Sequence, residues 1–341
     1  MRVSNDKYRA QANLWGPAAQ ARYRDARVGV FGVGGTGAAH AHLLARAGVG
    51  YLRLVDRDVV EFGDLHRTQL YDEEDARTPT PKAAAAARRL AAVNGDVRLE
   101  PVVAMVRPDN VLALAADLDV LVDGADNFAL RYLLNEVAVK TGTPLVYEGA
   151  VAARGAAMAV VPGVGPCLKC LLPEEPAPGA APTCAQVGVS PAAVAAAAAA
   201  AAGLTLALLR GEGAAVAGRL FGFDDPARAT TIMVARRPDC PCCAGRGFPH
   251  LEKPRPPEPE VAVVCGGCAF EIRPGAADYR FSLPDIETRL AGRYALERRG
   301  EILWVDAGEA TFILFDDGRA LVYGAADAER ARALFDRLIG T

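Results

Sequence analysis

The 341-residue sequence predicts an α/β protein: a doubly wound, mostly parallel, Rossmann-like sheet extended by antiparallel strands, with a small α+β module at the C-terminal end. Three observations carry this reading. Short β-like runs alternate with helical ones through about the first 150 residues. Beyond them the runs take on the texture of antiparallel strands around one alanine-rich helix. A proline-rich stretch then separates a last segment that carries its own hairpin signal.

"RVGVFG" (27–32) reads as a buried strand, "GAAHAHLLARAG" (37–48) as a helix and "YLRLVD" (51–56) as the next strand. "PKAAAAARRLAAV" (81–93) continues as a helix, and "DVLVDG" (119–124) and "PLVYEG" (144–149) as strands. Strands joined through helices of this length pair in parallel. "GAAMAVVPG", "RLFGFDD" and "TTIMVARR" read as antiparallel strands. Between the first two lies "SPAAVAAAAAAAAGLTLALLRG", a helix of high propensity with Pro191 near its first turn. "FPHLEKPRPPEPE" forms neither helix nor inner strand and reads as a linker. The expected boundaries are therefore a first domain over 1–247, a linker over 248–260 and a module over 261–341. In that module "EILWVDAGEATFILFDDGRALVYG" gives three strands with a hairpin turn at Asp317-Gly318, and "DAERARALFDRLIG" gives a closing amphipathic helix that ends at Gly340.

A net charge of −3 argues against a direct nucleic-acid or membrane-surface role, which calls for a basic patch. With the alanines of 192–202 discounted, no apolar run of transmembrane length is expected. The polar start "MRVSNDKYRAQ" lacks the apolar core of a signal peptide. These features lead to the expectation of a cytoplasmic protein. In a reducing compartment, the paired cysteines "CLKC" (167–170) and "CPCC" (240–243) point to metal binding or chemistry rather than to structural disulfides.

"GVGGTG" sets Gly32, Gly34, Gly35 and Gly37 between a strand and a helix. Glycines there let the backbone turn tightly and approach a phosphate, while the helix offers free N–H groups. Asp56 ends the next strand, where a carboxylate accepts from ribose hydroxyls. The loop by itself fits a dehydrogenase as well as an ATP enzyme. Arg67, Lys82 and the run Asp126, Asn127 and Arg131 all follow strand ends, the side on which open parallel sheets bind ligands. A triphosphate under attack needs cations on its tail and a carboxylate for Mg²⁺; a nicotinamide cofactor needs neither.

In their order along the chain, "GVGGTG", "LVDRDVVEFGDLHR", "TPK", "DGADNFALRYLLN", "CLKC", "TCAQVGVSPAAV" and "CPCC" resemble the ThiF/MoeB-type adenylyltransferases, relatives of the ubiquitin-activating enzymes. The resemblance runs from about Lys7 to Cys243 and makes 1–247 an adenylation domain. It implies ATP and Mg²⁺, and a ubiquitin-like sulfur-carrier protein of ThiS/MoaD type whose C-terminal Gly-Gly is adenylated for thiamin, molybdopterin or thiolation pathways. It implies a homodimer, and a sulfurtransferase or cysteine desulfurase as a further partner. By this resemblance Gly34 and its neighbours form the nucleotide loop, Asp56 the ribose ligand, Arg67 and Lys82 the phosphate clamps, and Asp126 the Mg²⁺ ligand. Cys167, Cys170, Cys240 and Cys243 become a structural Zn²⁺ site with Cys242 spare. Cys184 matches a cysteine that some relatives use covalently, and its place at a helix N-terminus predicts a lowered pKa.

The sequence departs from the family pattern at three places. "KYRAQ" has Ala10 where an arginine reaches the partner subunit's site, with Arg9 one place earlier. "DLHRT" has Asp64 in place of an amide and Thr68 in place of a glutamine. An acid there would repel a triphosphate unless a metal intervened. The pair Cys265/Cys268 reads as a redox pair, as half of a site shared between subunits or, most simply, as a tight turn. Two other readings stand beside the main one: a relative that adenylates a small molecule, peptide or tRNA base, and a non-catalytic adaptor that binds a carrier.

Overall fold

The computed structural model describes residues 7–176, 183–252, 261–263, 269–273 and 280–339. Cys265, Cys268 and Gly340, all singled out from the sequence, lie outside these residues. The chain forms two compact units, Met1–Pro254 and Arg255–Thr341.

The first unit is built on one eight-stranded sheet: β1 (Arg27–Phe31), β2 (Tyr51–Asp56), β3 (Arg98–Val103), β4 (Val120–Asp123), β5 (Leu145–Val151), β6 (Arg154–Val160), β7 (Arg219–Phe223) and β8 (Ala229–Met233). The spatial order is β3-β2-β1-β4-β5-β6-β7-β8. β3, β2, β1, β4 and β5 pair in parallel, and β5 to β8 pair antiparallel. This is the doubly wound, extended sheet that the sequence predicts. Apolar runs such as "VGVF" and "VLV" are buried because helices cover a parallel sheet on both faces.

β3 carries no clear strand signal, since Pro101 interrupts it and its face is largely polar. Proline is tolerated because β3 is the sheet's edge. The alanine-rich helix Pro191–Leu209 also differs from expectation. By length and apolarity it would suffice to cross a membrane, yet 56% of its window is buried inside this unit. Small alanines let it lie close to the helix Gly35–Ala47 and to β5 and β6. Residues 248–252, assigned from their prolines to a linker, instead continue the first unit: Phe248 is buried and Pro249–Glu252 form a helical turn.

The second unit holds a six-stranded antiparallel sheet: β9 (Val261–Val263), β10 (Ala269–Ile272), β11 (Ala295–Arg299), β12 (Ile302–Asp306), β13 (Thr311–Phe315) and β14 (Ala320–Tyr323), in the order β11-β12-β13-β14-β10-β9. Helices Leu283–Leu290 and Ala328–Ile339 supply Ile286, Leu290, Leu334 and Phe335 to its core, with Phe312 and Leu314 from the sheet. The expected hairpin joins β13 to β14, with Phe315 N–H donating to the Arg319 carbonyl at 2.9 Å.

Candidate functional site

β1 and β4 are neighbours at the point where the strand order reverses, and both carboxyl ends open there. Gly32 leaves β1 at φ +92°, and a side chain on it would strike the Gly124 carbonyl beyond β4. A Cβ on Gly37 would lie 1.9 Å from the Gly32 carbonyl oxygen, so both glycines are required by close packing. Gly34 faces open space. A Cβ on Gly35 would come 3.7 Å from Arg67 Cδ, which places the arginine stem directly beside the loop.

Asp56 at the end of β2 accepts from the Val33 and Asp58 backbone N–H groups, each at 2.8 Å. Burial, with the Asp58 charge adding to it, pushes its carboxyl up to about 6. Tyr71 was not visible as a site residue in the sequence. Its hydroxyl donates to the Val33 carbonyl at 2.5 Å and lies 3.3 Å from the Lys82 carbonyl, tying the glycine loop to the lysine's helix.

Lys82 begins the helix Lys82–Val93, a place where the helix dipole disfavours a cation. Acids hold it there. Its Nζ lies 3.3 Å from Asp64 Oδ2 and 3.7 Å from Asp58 Oδ2. Burial draws the ammonium down, but Asp58, Asp64 and Asp56 outweigh this and keep it above its ordinary range. Arg67 Nη2 donates to Asp64 Oδ1 at 2.8 Å and Nη1 to the Gly63 carbonyl at 2.5 Å. The acid expected to repel a triphosphate is thus 4% exposed and bonded to both cations. Thr68 turns inward, its hydroxyl donating to the Asp64 carbonyl at 2.7 Å.

Across the switch point, Asp126 is exposed at the loop after β4 and accepts from Asn127 Nδ2 at 3.2 Å. The Asn127 side-chain oxygen caps the helix Phe128–Thr141 by accepting from Leu130 N–H at 2.9 Å, which gives this residue a structural duty. Arg131 is buried. Its Nη1 donates to the Glu148 carbonyl at 2.7 Å and stands 3.6 Å from Asp123 Oδ2; its Nη2 donates to the Ala125 carbonyl. Burial lifts the Asp123 carboxyl to about 6 against the pull of Arg131.

Cys184 opens the short helix Cys184–Val187, and its thiol donates to the Ala150 carbonyl at 3.2 Å. The lowered pKa expected from its helix position is not found. Burial pushes the thiol up, and the opposing pull of Arg67 and Arg131 does not reverse this. Cys184 also feels the charges of Arg67, Asp126 and Arg131, which places the thiol on the same side of the sheet as these groups.

Away from this site, the sulfurs of Cys167, Cys170, Cys240 and Cys243 all lie within 4.8 Å of one another. Cys167–Cys240 and Cys170–Cys243 are 3.6 and 3.5 Å apart. Four thiolates about 2.3 Å from a tetrahedral zinc stand about 3.8 Å apart, so the cluster fits the ion. Outer support is in place: Arg237 N–H donates to Cys170 Sγ at 3.5 Å, and Asn135 accepts from Leu168 N–H at 2.8 Å. Cys242 is buried beside the cluster and accepts from Asn135 Nδ2 at 3.4 Å.

A model of the ThiF family matches residues 8–242. The chain belongs to the ThiF family. Among its relatives is the sulfur carrier protein ThiS adenylyltransferase of Bacillus subtilis, 37% identical over 331 residues, covering 95% of this chain and 96% of that protein. The SAMP-activating enzyme E1 of Haloferax volcanii is 41% identical over 238 residues, 70% of this chain and 87% of its own. The Thermus thermophilus sulfur carrier protein adenylyltransferase is 39% identical over 247 residues, again 70% of this chain and 90% of its own. The Bacillus match is long enough to run through the second unit as well. The ThiF-family fold also appears in the solved structure of E. coli MccB with ATP, at a TM-score of 0.61 and 20% identity, covering 71% of this chain and 75% of that one.

Proposed function

We infer that this chain is an ATP-dependent adenylyltransferase that activates the C-terminal Gly-Gly of a ubiquitin-like sulfur carrier. The observation that carries the reading is the set of charges at the sheet's switch point: Arg67 and Lys82 held by one buried acid beside the glycine loop, and Asp126 exposed opposite them. A carboxylate is a poor electrophile. In the reaction its oxygen attacks the α-phosphorus of ATP, the bond to the β-phosphate breaks, and pyrophosphate leaves. Nothing is oxidised or reduced. Arg67 and Lys82 neutralise the charge that builds on the phosphates, Asp56 accepts from the ribose, and the exposed Asp126 would hold Mg²⁺, which would supply further positive charge at the phosphates. Cys184, which feels the charges of Arg67 and Asp126, would take the activated carrier as a thioester: its sulfur attacks the acyl carbon, the bond from that carbon to the AMP phosphate oxygen breaks, AMP leaves, and the thiol proton passes to solvent.

The four-cysteine cluster holds zinc in this reading. The ion would clip the "CLKC" segment to the loop after β8, with no open coordination position for catalysis. The same reading has two copies of the chain assembling and a sulfurtransferase or cysteine desulfurase supplying sulfur in the cytoplasm. The test is ATP–pyrophosphate exchange with purified carriers tried one at a time. Exchange that requires a carrier ending in Gly-Gly supports the reading. Exchange without any carrier, or with a small acid alone, overturns the carrier assignment.

A further inference from the structure

Beneath the site lies a polar group that the adenylation chemistry does not use. His40, Glu148 and Thr205 are all fully buried. His40 Nδ1 is 3.0 Å from Glu148 Oε2, and His40 Nε2 is 3.0 Å from Thr205 Oγ1. The three come from different elements: the helix that starts at the glycine loop, strand β5, and the alanine-rich helix. An apolar trio would fill this space at less cost, since burying a carboxylate and an imidazole carries a large desolvation penalty. Glu148 Oε1 has no hydrogen-bond partner among the described residues.

Glu148 also serves through its main chain. Its carbonyl accepts from Arg131 Nη1 at 2.7 Å, and Arg131 in turn holds the Ala125 carbonyl one residue before Asp126. Two residues further along β5, the Ala150 carbonyl holds the Cys184 thiol. Gly149 between them has no side chain; a Cβ there would come 3.3 Å from the Arg131 guanidinium. One short segment of β5 therefore carries the supports for both the Asp126 loop and Cys184, and the buried Glu148–His40 bond ties that segment to the glycine-loop helix.

We propose that Glu148 and His40 are positioning residues: their buried hydrogen bond fixes the end of β5 against the nucleotide-loop helix, and thereby sets Asp126 and Cys184 relative to the nucleotide. The role in adenylation rests on the function proposed above; the role in holding Cys184 does not.

Two readouts separate these. The first is the single-turnover rate constant for adenylate formation at saturating ATP and carrier, which does not depend on the fraction of folded protein. The second is the alkylation rate of Cys184 by iodoacetamide, followed by mass spectrometry on the full chain. His40→Ala and Glu148→Ala each slow the first about tenfold and speed the second several-fold, and the double variant is no worse than either single one because both remove the same bond. Glu148→Gln retains an acceptor and stays within about twofold of the parent in both. Should the alanine variants not fold, Thr205→Val, which leaves His40 Nε2 without its partner, moves both rates in the same directions by a smaller factor. Unchanged alkylation in the folded variants, or a double variant whose effects add, overturns the proposal. If the parent chain activates no carrier, the function above fails, and alkylation alone still decides whether the bond positions β5.

Discussion

Lys82 Nζ and Asp64 Oδ2 face each other at 3.3 Å, both largely withdrawn from solvent. The other oxygen of the same carboxylate holds Arg67 at 2.8 Å. Asp64 thus spans the two cations that a nucleotide tail would meet. It also closes its own turn, with Oδ2 accepting from Glu61 N–H at 3.1 Å. Its fixed geometry lets it hold both cations in position before nucleotide arrives, at the cost of opposing the incoming phosphates.

The Asp64→Asn substitution separates these effects. The amide has the same shape and still offers one acceptor, but it returns one unit of positive charge to the site. The KM for ATP should fall about threefold to tenfold at low ionic strength, roughly 1 kcal/mol. The gain should shrink as salt is raised, because screening acts on the long-range part. Steady-state exchange kinetics across a salt series check it. A higher KM at every salt concentration would show that holding the cations matters more than the charge.

Lys82→Met should abolish that balance. Exchange should drop on the order of 10²- to 10³-fold, as when a charge-stabilising donor is removed. The substitution also leaves Asp56, Asp58 and Asp64 without their shared cation, so the melting temperature should fall. Adding Asp64→Asn to Lys82→Met should restore part of the melting temperature and none of the activity. Calorimetry and exchange measured on the same samples distinguish the two losses.

The cysteine cluster makes a sharper prediction, because it contains an internal control. Cys167→Ser or Cys240→Ser should lose zinc by elemental analysis and melt roughly 10 °C lower, equivalent to about 3 kcal/mol for a unit of this size. Cys242→Ser should keep its zinc, since Cys242 lies beside the four-sulfur set and outside it. Equal zinc loss in all three would mean that the ligand set is wrong.

Which features were legible in the sequence follows from where the physical signal is local. The glycine loop, the strand ends with Asp56 and Asp126, and the "CLKC" and "CPCC" pairs declare themselves by spacing, and the fold brings each group together. For Asp64 only half of the role is legible: the repulsion of phosphates follows from its charge, but its two cation partners, one from another helix, show only in the fold. The pKa of Cys184 was misjudged for a similar reason, since a helix terminus is a local cue and burial is a tertiary one. His40, Glu148 and Thr205 are scattered over 165 positions, and nothing short of the packed sheet shows that they touch. β3 escaped because a proline that would bar a central strand is harmless at an edge.

The last prediction concerns residues 248–252, which the sequence alone consigns to a linker. His250 stacks on Tyr132 with ring centroids 5.3 Å apart, and its two nitrogens face Glu136 Oε1 at 2.9 Å and Glu175 Oε2 at 2.8 Å. Glu136 is fully buried, and its other oxygen accepts from the His250 and Leu251 backbone N–H groups at 2.8 and 3.0 Å. The hydrogen bond to Glu136, reinforced by Glu175 and opposed by burial, raises the imidazole pKa above its ordinary 6.5. A raised folded-state pKa means that the protonated ring is stabilised by folding. Its contribution is complete below about pH 6.5 and is lost as the pH climbs through the folded value. The melting temperature of the first unit should therefore decline as the pH rises from about 6 through the mildly alkaline range. His250→Gln should remove that part of the slope, leaving the variant less stable at the acidic end and closest to the parent at the alkaline end. Parallel melting curves for the two proteins across this range would show that the clasp does not titrate where its two carboxylates place it.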